Sequence, residues 1–383
     1  MKKNILFISE TVPGNTIASA VLMFRHFKWL EEKGHRIFLF MYGDQYKTKP
    51  VPDSWQVIET QIRKWWYPPY KRFNPLKTIR FWLLYLNYKE EITRTNPDVI
   101  LSYLNGTYFS GFSAFLSKRL IKPLFIFYHD NSEKMNHSGD PALYRQQLNF
   151  NYFVLKQAKT IWAISDHLVY EEFKNKTKTV YPVSEITGKK AVWKSDFEQG
   201  PVVGFAGSLY NEILEPTIRF VKMVEKLNGK FIIFSPVKEN VSRLKEISTC
   251  VEVKDVMPTG YVCDYLAEHC SSFLVNYPEK VSDMPWIDSN FPSKFTQFLQ
   301  TCLPVLCQVP AKSAIGIWCT ENYYEGYSNQ FDEEGTKHLL NLTMNKADWQ
   351  RLSDQSKHFS ETTFNPESIN QILLRDILDE CPI

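Results

Sequence analysis

The stretch Phe291-Pro292-Ser293-Lys294-Phe295-Thr296-Gln297 holds the most pointed chemistry in the sequence. Pro292 suits a first helical position, where its missing N–H costs nothing. The free N–H groups of a helix start and the helix dipole favour an anion. Ser293 adds a hydroxyl and Lys294 a full positive charge, so a diphosphate matches the array. The plainer alternative is a helix capped by Asn290 or Ser289 with a surface lysine beside it. In "GFAGSLYNE", Gly207 follows an apolar run, where the lack of a Cβ lets backbone come close to a ligand. A simple tight turn would look the same. Lys238, after "KFIIFS", is a second candidate cation or a surface lysine. "FIFYHDNSEKMNH" sets His129 and Asp130 just past another apolar run. Histidine is suited to bond a hydroxyl or to move a proton near neutral pH. Asp130 or Glu133 would serve as a base, and His137 is a weaker second histidine. Ser165 in "WAISDH" reads better as a helix cap than as a ligand residue.

The elements that would hold these residues alternate between apolar runs and helical periodicity. "NILFI" is a strand buried on both faces. A polar loop with Gly14, Asn15 and Thr16 leads to "IASAVLMFRHFKWLEEKGH", a helix closing at Gly34, and then to the strand "RIFLFMY". This order implies parallel strands with right-handed crossovers. "DVILSY", "PLFIFYH" and "TIWAIS" continue as strands. "GTYFSGFSAFLSKRL", "PALYRQQLNFNYFVLKQA" and "DHLVYEEFK" read as helices. Periodicity lapses from Ser184 to Gly200, and the alternation restarts at "PVVGFAG". "KFIIFS", "CVEVKDV", "SSFLVNY" and "PVLCQV" are its further strands, and the chain ends in helices. Two open α/β sheets in tandem bind ligands beyond their carboxyl strand ends, and two facing domains create a cleft.

Composition narrows the classes. The chain has 383 residues, which suits two domains of roughly 150–200 residues each. Its net charge of +3 supplies no global field toward nucleic acid, and no recognised nucleic-acid module is present. Seven cysteines without a CxxC pair suggest reduced thiols and argue against zinc. "MKKNILFISE" is too short an apolar run for a signal peptide, and no stretch approaches the ~20 apolar residues of a membrane span. One segment is unusual. From Ile62 to Lys89 it holds Arg63, Lys64, Lys71, Arg72, Lys77, Arg80 and Lys89, no acid, and eight interleaved tryptophans, tyrosines and phenylalanines counted from Trp65 to Tyr88 apart from Phe73. Such a segment lies on an anionic bilayer, or it packs a helix whose Leu76, Ile79, Leu83 and Leu86 face the sheet.

The element order, "GFAGSL" at the start of the second half and "FPSKFTQFLQTCLPVLC" near its end together resemble the GT-B glycosyltransferases, and among them the large family-4 type with nucleotide-sugar donors. The resemblance implies two Rossmann-like parallel-sheet domains facing a cleft: residues 1–183 for the acceptor, a linker at 184–200, residues 201–364 for the donor, and a helix at 365–383 packing back on the first domain. It implies transfer of a sugar from a UDP- or GDP-sugar to a hydroxyl of a glycan, glycolipid or small molecule, with retention, no metal and no further cofactor, in the cytoplasm. Membrane contact through residues 62–89 stays open. By the same resemblance, Ser293, Lys294, Gly207, Ser208 and Lys238 would hold the diphosphate, Gln297 the ribose, and His129 the sugar. Gly14, Asn15 and Thr16 would form a lid. The sequence departs from the family pattern in three places. Gln297 stands for the second of two glutamates. Ser289, beside Asp288, stands for the first. Ser208, Leu209, Tyr210 and Asn211 follow Gly207 where an arginine and a lysine are usual. Inversion with Asp130 or Glu133 as base, and a catalytically lapsed scaffold or partner subunit, are the alternatives.

Overall fold

The computed structural model describes residues 2–14, 18–43, 51–60, 77–105, 108–137 and 140–379. The chain divides into two compact units. One comprises the residues up to Tyr181 with those from Ile369 onward, and the other runs from Pro182 to Ser368.

The first unit is a parallel sheet of β1 (Asn4–Ile8), β2 (Arg36–Tyr42), β3 (Gln56–Thr60), β4 (Val99–Tyr103), β5 (Leu124–Tyr128), β6 (Thr160–Ala163) and β7 (Thr177–Thr179). Their order is β3-β2-β1-β4-β5-β6-β7. The order reverses between β1 and β4, so the loops leaving those strands part at the carboxyl ends and form a crevice. β4 and β5 are buried at every position because helices cover both faces. The Ala18–Glu32 helix sets Phe27 against Phe7 and Phe127, with ring centroids 4.7 and 6.2 Å apart.

Three departures from the sequence reading stand out here. The expected helix over "DHLVYEEFK" forms only turns and a 3-10 helix, Glu171–Lys176. Asp166 is drawn away by Thr179 and by Tyr181, whose hydroxyl donates to it at 3.2 Å, and Ser165 accepts from His167 N at 3.3 Å in a local turn. The short strands β3 and β7 carry no continuous apolar run and went unread. In the Lys77–Asn87 helix, Phe81, Leu84 and Tyr85 are the buried residues, whereas Ile79 and Leu83, expected to face the sheet, are exposed with Leu86. Phe81 decides the orientation: its ring lies 4.9 Å from Tyr108 and 5.9 Å from Phe115. Leu76 is outside the described residues.

The second unit repeats the plan with β8 (Val202–Ala206), β9 (Lys230–Phe234), β10 (Val251–Lys254), β11 (Ser272–Asn276), β12 (Val305–Gln308) and β13 (Tyr327–Ser328). Their order is β10-β9-β8-β11-β12-β13, again parallel, with the reversal between β8 and β11. The Asn211–Lys226 helix buries Ile213, Leu214, Ile218, Val221 and Val224 in its core. The aperiodic stretch after Ser184 is fastened to this unit through backbone contacts. Ala191 N donates to Thr301 O at 2.7 Å, and Lys189 pairs with Glu268.

The last helix, Pro366–Leu378, begins in the second unit, and its later residues pack with the first. Trp162 Nε1 donates to Asp376 Oδ2 at 2.8 Å, Lys178 pairs with the same carboxylate, and His26 Nδ1 lies 2.7 Å from Asn370 Oδ1. No helix among the described residues is long and apolar enough to cross a membrane.

Candidate functional site

At the reversal point of the second sheet, β8 is followed by Gly207, whose φ is +110°. A Cβ there would fall 2.4 Å from Lys294 Cε and 2.5 Å from Lys294 Nζ. The left-handed backbone favours glycine, and any side chain added there would have to push the tip of Lys294 aside. The sequence reading gave that space to a ligand; the side chain of Lys294 takes it. Lys294 opens the Ser293–Leu299 helix and sets its ammonium 4.9 Å from the centre of the Phe205 ring. No carboxylate among the described residues pairs with it. Burial pushes its pKa down to about 8. The group is thus a cation short of a counterion, held at the place where such sheets take anionic ligands.

The neighbouring loop is held rigid by residues the sequence reading passed over. Asn240 Nδ2 donates to Leu209 O at 2.8 Å and to Asn211 Oδ1 at 2.9 Å, and Ser235 Oγ accepts from Leu209 N at 3.3 Å. Ser208 lies in that loop, partly exposed, and Ser293 is partly exposed at the helix start. The residue at the cap position is Pro292, which makes no side-chain cap bond, so neither Asn290 nor Ser289 occupies that position. The helix is only 7 residues long, which leaves Lys294 as the main anion-binding feature. Lys238 is exposed at the start of the Lys238–Ile247 helix after β9, and no contact joins it to Lys294.

Gln297 does not present its amide as expected for a ribose. Its Oε1 accepts from Glu185 N and its Nε2 donates to Glu185 O, both at 3.0 Å. The side chain is a buried staple for the chain entering the unit. Ser289 follows a 3-10 turn, Pro285–Asp288, and its hydroxyl reaches Trp286 O at 3.4 Å.

The carboxyl end of β5 in the first unit is built differently. His129 is 3% exposed, and its Nδ1 is buried with no hydrogen-bond partner. Burial, with a smaller effect of His26, drives its pKa to about 3. It is neutral at physiological pH, so it can bond a hydroxyl but cannot relay a proton as the imidazolium. His26 packs against the same Phe127 ring, is itself lowered to about 4 by burial, and has an unpartnered Nε2. Tyr103 donates to Asp130, whose carboxyl is raised above its usual range by burial. Glu133 is 1% exposed and enclosed by tyrosines: Tyr170 donates to it, and Tyr128 OH lies 3.5 Å from both of its oxygens. Gly14 N donates to Ala20 O at 3.1 Å, while Asn15, Thr16 and the side chain of His137 lie outside what is described.

No known protein family matches this sequence, and no curated protein is significantly similar to it. Solved structures do match over the whole chain. Sucrose-phosphate synthase of Thermosynechococcus elongatus is 13% identical, with 98% of this chain and 99% of that one covered and a TM-score of 0.70. HepE of Anabaena, in complex with UDP and glucose, is 13% identical over 98% and 99% of the two chains, with a TM-score of 0.67. A glycosyltransferase from Rickettsia africae is 10% identical over 98% of both, with a TM-score of 0.64. The chain has the GT-B fold of glycosyltransferases.

Proposed function

We propose that the chain is a glycosyltransferase that takes a sugar from a nucleotide diphosphate sugar, UDP- or GDP-linked, and transfers it to a hydroxyl acceptor. Lys294, an unpaired ammonium packed against Gly207 at the reversal point of the second sheet, is the observation that carries this reading. In the reaction the bond from the sugar's anomeric carbon to the diphosphate oxygen breaks, a bond from that carbon to the acceptor oxygen forms, and the acceptor's hydroxyl proton passes to the departing diphosphate. Negative charge then grows on the leaving diphosphate, where Lys294 Nζ and the Ser293 hydroxyl would stabilise it. Such stabilisation needs no proton transfer from His129, which fits its neutral state. His129 would bond a sugar hydroxyl, and the outcome would be retention. HepE binds UDP and glucose on the same fold.

A second reading, inversion, has one observation in its favour. Burial raises the Asp130 carboxyl above the usual range, which makes it a better base than an exposed aspartate. Glu133 is a poorer candidate because two tyrosine hydroxyls, of Tyr170 and Tyr128, face its oxygens, whereas Tyr103 donates to Asp130.

A thermal-shift series with UDP, GDP, UMP and GMP tests the donor assignment. A diphosphate at 100 times its Kd should add about 2.7 kcal/mol of stability, and the monophosphates clearly less. Equal shifts from mono- and diphosphates, or none at all, would refute a diphosphate site. The anomer formed from a sugar donor would then separate retention from inversion.

A further inference from the structure

The Lys77–Asn87 helix turns one apolar stripe outward. Ile79, Trp82, Leu83 and Leu86 are 53, 41, 40 and 54% exposed, at the i, i+3, i+4, i+7 spacing of a single helix face. Contiguous apolar surface of this kind marks an interaction site. Cations border it at one end of a neighbouring helix. The Arg119 guanidinium sits 5.1 Å from the Trp82 ring and 5.8 Å from Tyr85, binding the end of the Tyr108–Leu120 helix to this face. Lys118 and Lys122 flank Arg119 in sequence, with Ile121 between them 90% exposed. None of these three cations pairs with a carboxylate among the described residues. The sequence leading into the helix is free of acids from Ile62 to Lys89, a run that ends at Glu90 and Glu91.

We propose that this face docks on an anionic lipid bilayer. An exposed stripe of Ile, Trp and Leu bordered by Lys and Arg is the composition of an interfacial helix. Its apolar side enters the headgroup boundary, and its cations meet lipid phosphates. Charge complementarity selects this occupant. A second copy of the chain, docked by two-fold symmetry, would bring the same cations against one another. A nucleic-acid backbone would leave Ile79, Leu83 and Leu86 without an apolar partner. The proposal goes beyond the catalytic reading, and membrane docking needs no turnover.

Sedimentation with vesicles decides it, using phosphatidylcholine alone or mixed with phosphatidylglycerol. The wild-type protein should pellet with the mixed vesicles at low salt, stay in solution with phosphatidylcholine, and be released as salt rises. The I79S/L83S/L86S variant should lose partition at least about ten-fold at an unchanged melting temperature. Should that variant not fold, K118Q/R119Q carries the test. At about five-fold per basic residue it should weaken partition about 25-fold. Three results would overturn the proposal: wild-type protein left in the supernatant with mixed vesicles at low salt; variants that partition like the wild type; or a dimer in lipid-free solution that the apolar variant dissolves. Each reads out independently of donor binding, so the catalytic proposal stands or falls separately.

Discussion

The two sheets have the same plan and opposite chemistry at their carboxyl ends. Both reverse strand order next to their first strand, after β1 in one and after β8 in the other. At the second reversal point the polar group is an ammonium that no carboxylate among the described residues pairs with, given room by a glycine. In the first unit the end of β5 holds two carboxylates bound by tyrosine hydroxyls and the neutral His129. One end suits a multiply charged anion. The other suits neutral hydroxyl-rich groups, which carboxylates and imidazoles bond without requiring a charge. On the proposed reading, the same backbone plan would serve both halves of the transfer, with a few side chains at strand ends making the difference.

The sharpest way to break this contrast is at Lys294. Lys294→Met should weaken UDP or GDP binding by about 1.5–3 kcal/mol, while His129→Ala leaves it unchanged. Isothermal calorimetry measures both. If His129→Ala costs as much diphosphate affinity as Lys294→Met, the two ends are not specialised as described. Gly207→Ala tests the same assembly from the other side. Its Cβ would displace the lysine, so G207A and K294M should be far from additive in nucleotide affinity.

Next in size is Glu133. The buried Tyr128 hydroxyl and the half-buried Tyr170 hydroxyl face it, so Glu133→Leu should cost about 1–3 kcal/mol in urea unfolding. Glu133→Gln keeps an acceptor oxygen and should cost less than half of that. If instead Glu133→Gln leaves stability intact and abolishes transfer, the carboxylate is a base, and the first unit's edge is catalytic in a way its geometry does not suggest.

Much of this was legible in sequence, for reasons that differ by residue. Strands buried on both faces announce themselves as unbroken apolar runs, so β1, β2, β4, β5, β8, β9 and β11 were readable. β3, β7 and β13 are short edge strands whose burial is mixed, and they left no such run. Lys294 was readable because a cation beside a helix start is a local pattern. That its tip lies on Gly207 was not, because nothing local records a contact between distant loops. Gln297 was assigned a ribose for want of knowing that the Glu185 backbone takes its amide. His26 was overlooked inside the apolar helix stretch "MFRHFKW", where a histidine carries no local sign of being buried against the same ring as another. In the Lys77–Asn87 helix both faces are apolar, so periodicity allowed two orientations and only the packing of Phe81 chose one.

The smallest effect is also the most diagnostic, because it concerns a proton. Folding lowers the Lys294 pKa from 10.5 to about 8. Between those values the unfolded chain binds more protons than the folded one, so unliganded stability should rise with pH across that window on this account. A bound diphosphate reverses the sign for binding. Its charge favours the ammonium and draws the pKa back upward, so complex formation at pH 8 should take up as much as about half a proton, the fraction missing from a group at its own pKa. The nucleotide's terminal phosphate is already ionised there and contributes little. Calorimetry in buffers of different ionisation enthalpy gives the uptake directly, and diphosphate affinity should decline as pH rises above 8. His26 and His129 supply no competing signal at that pH, because they are neutral well below it. Lys294→Met should bind with no buffer dependence. If the wild type shows none either, the ammonium is not the group that meets the diphosphate, and the contrast between the two strand ends loses its charged half.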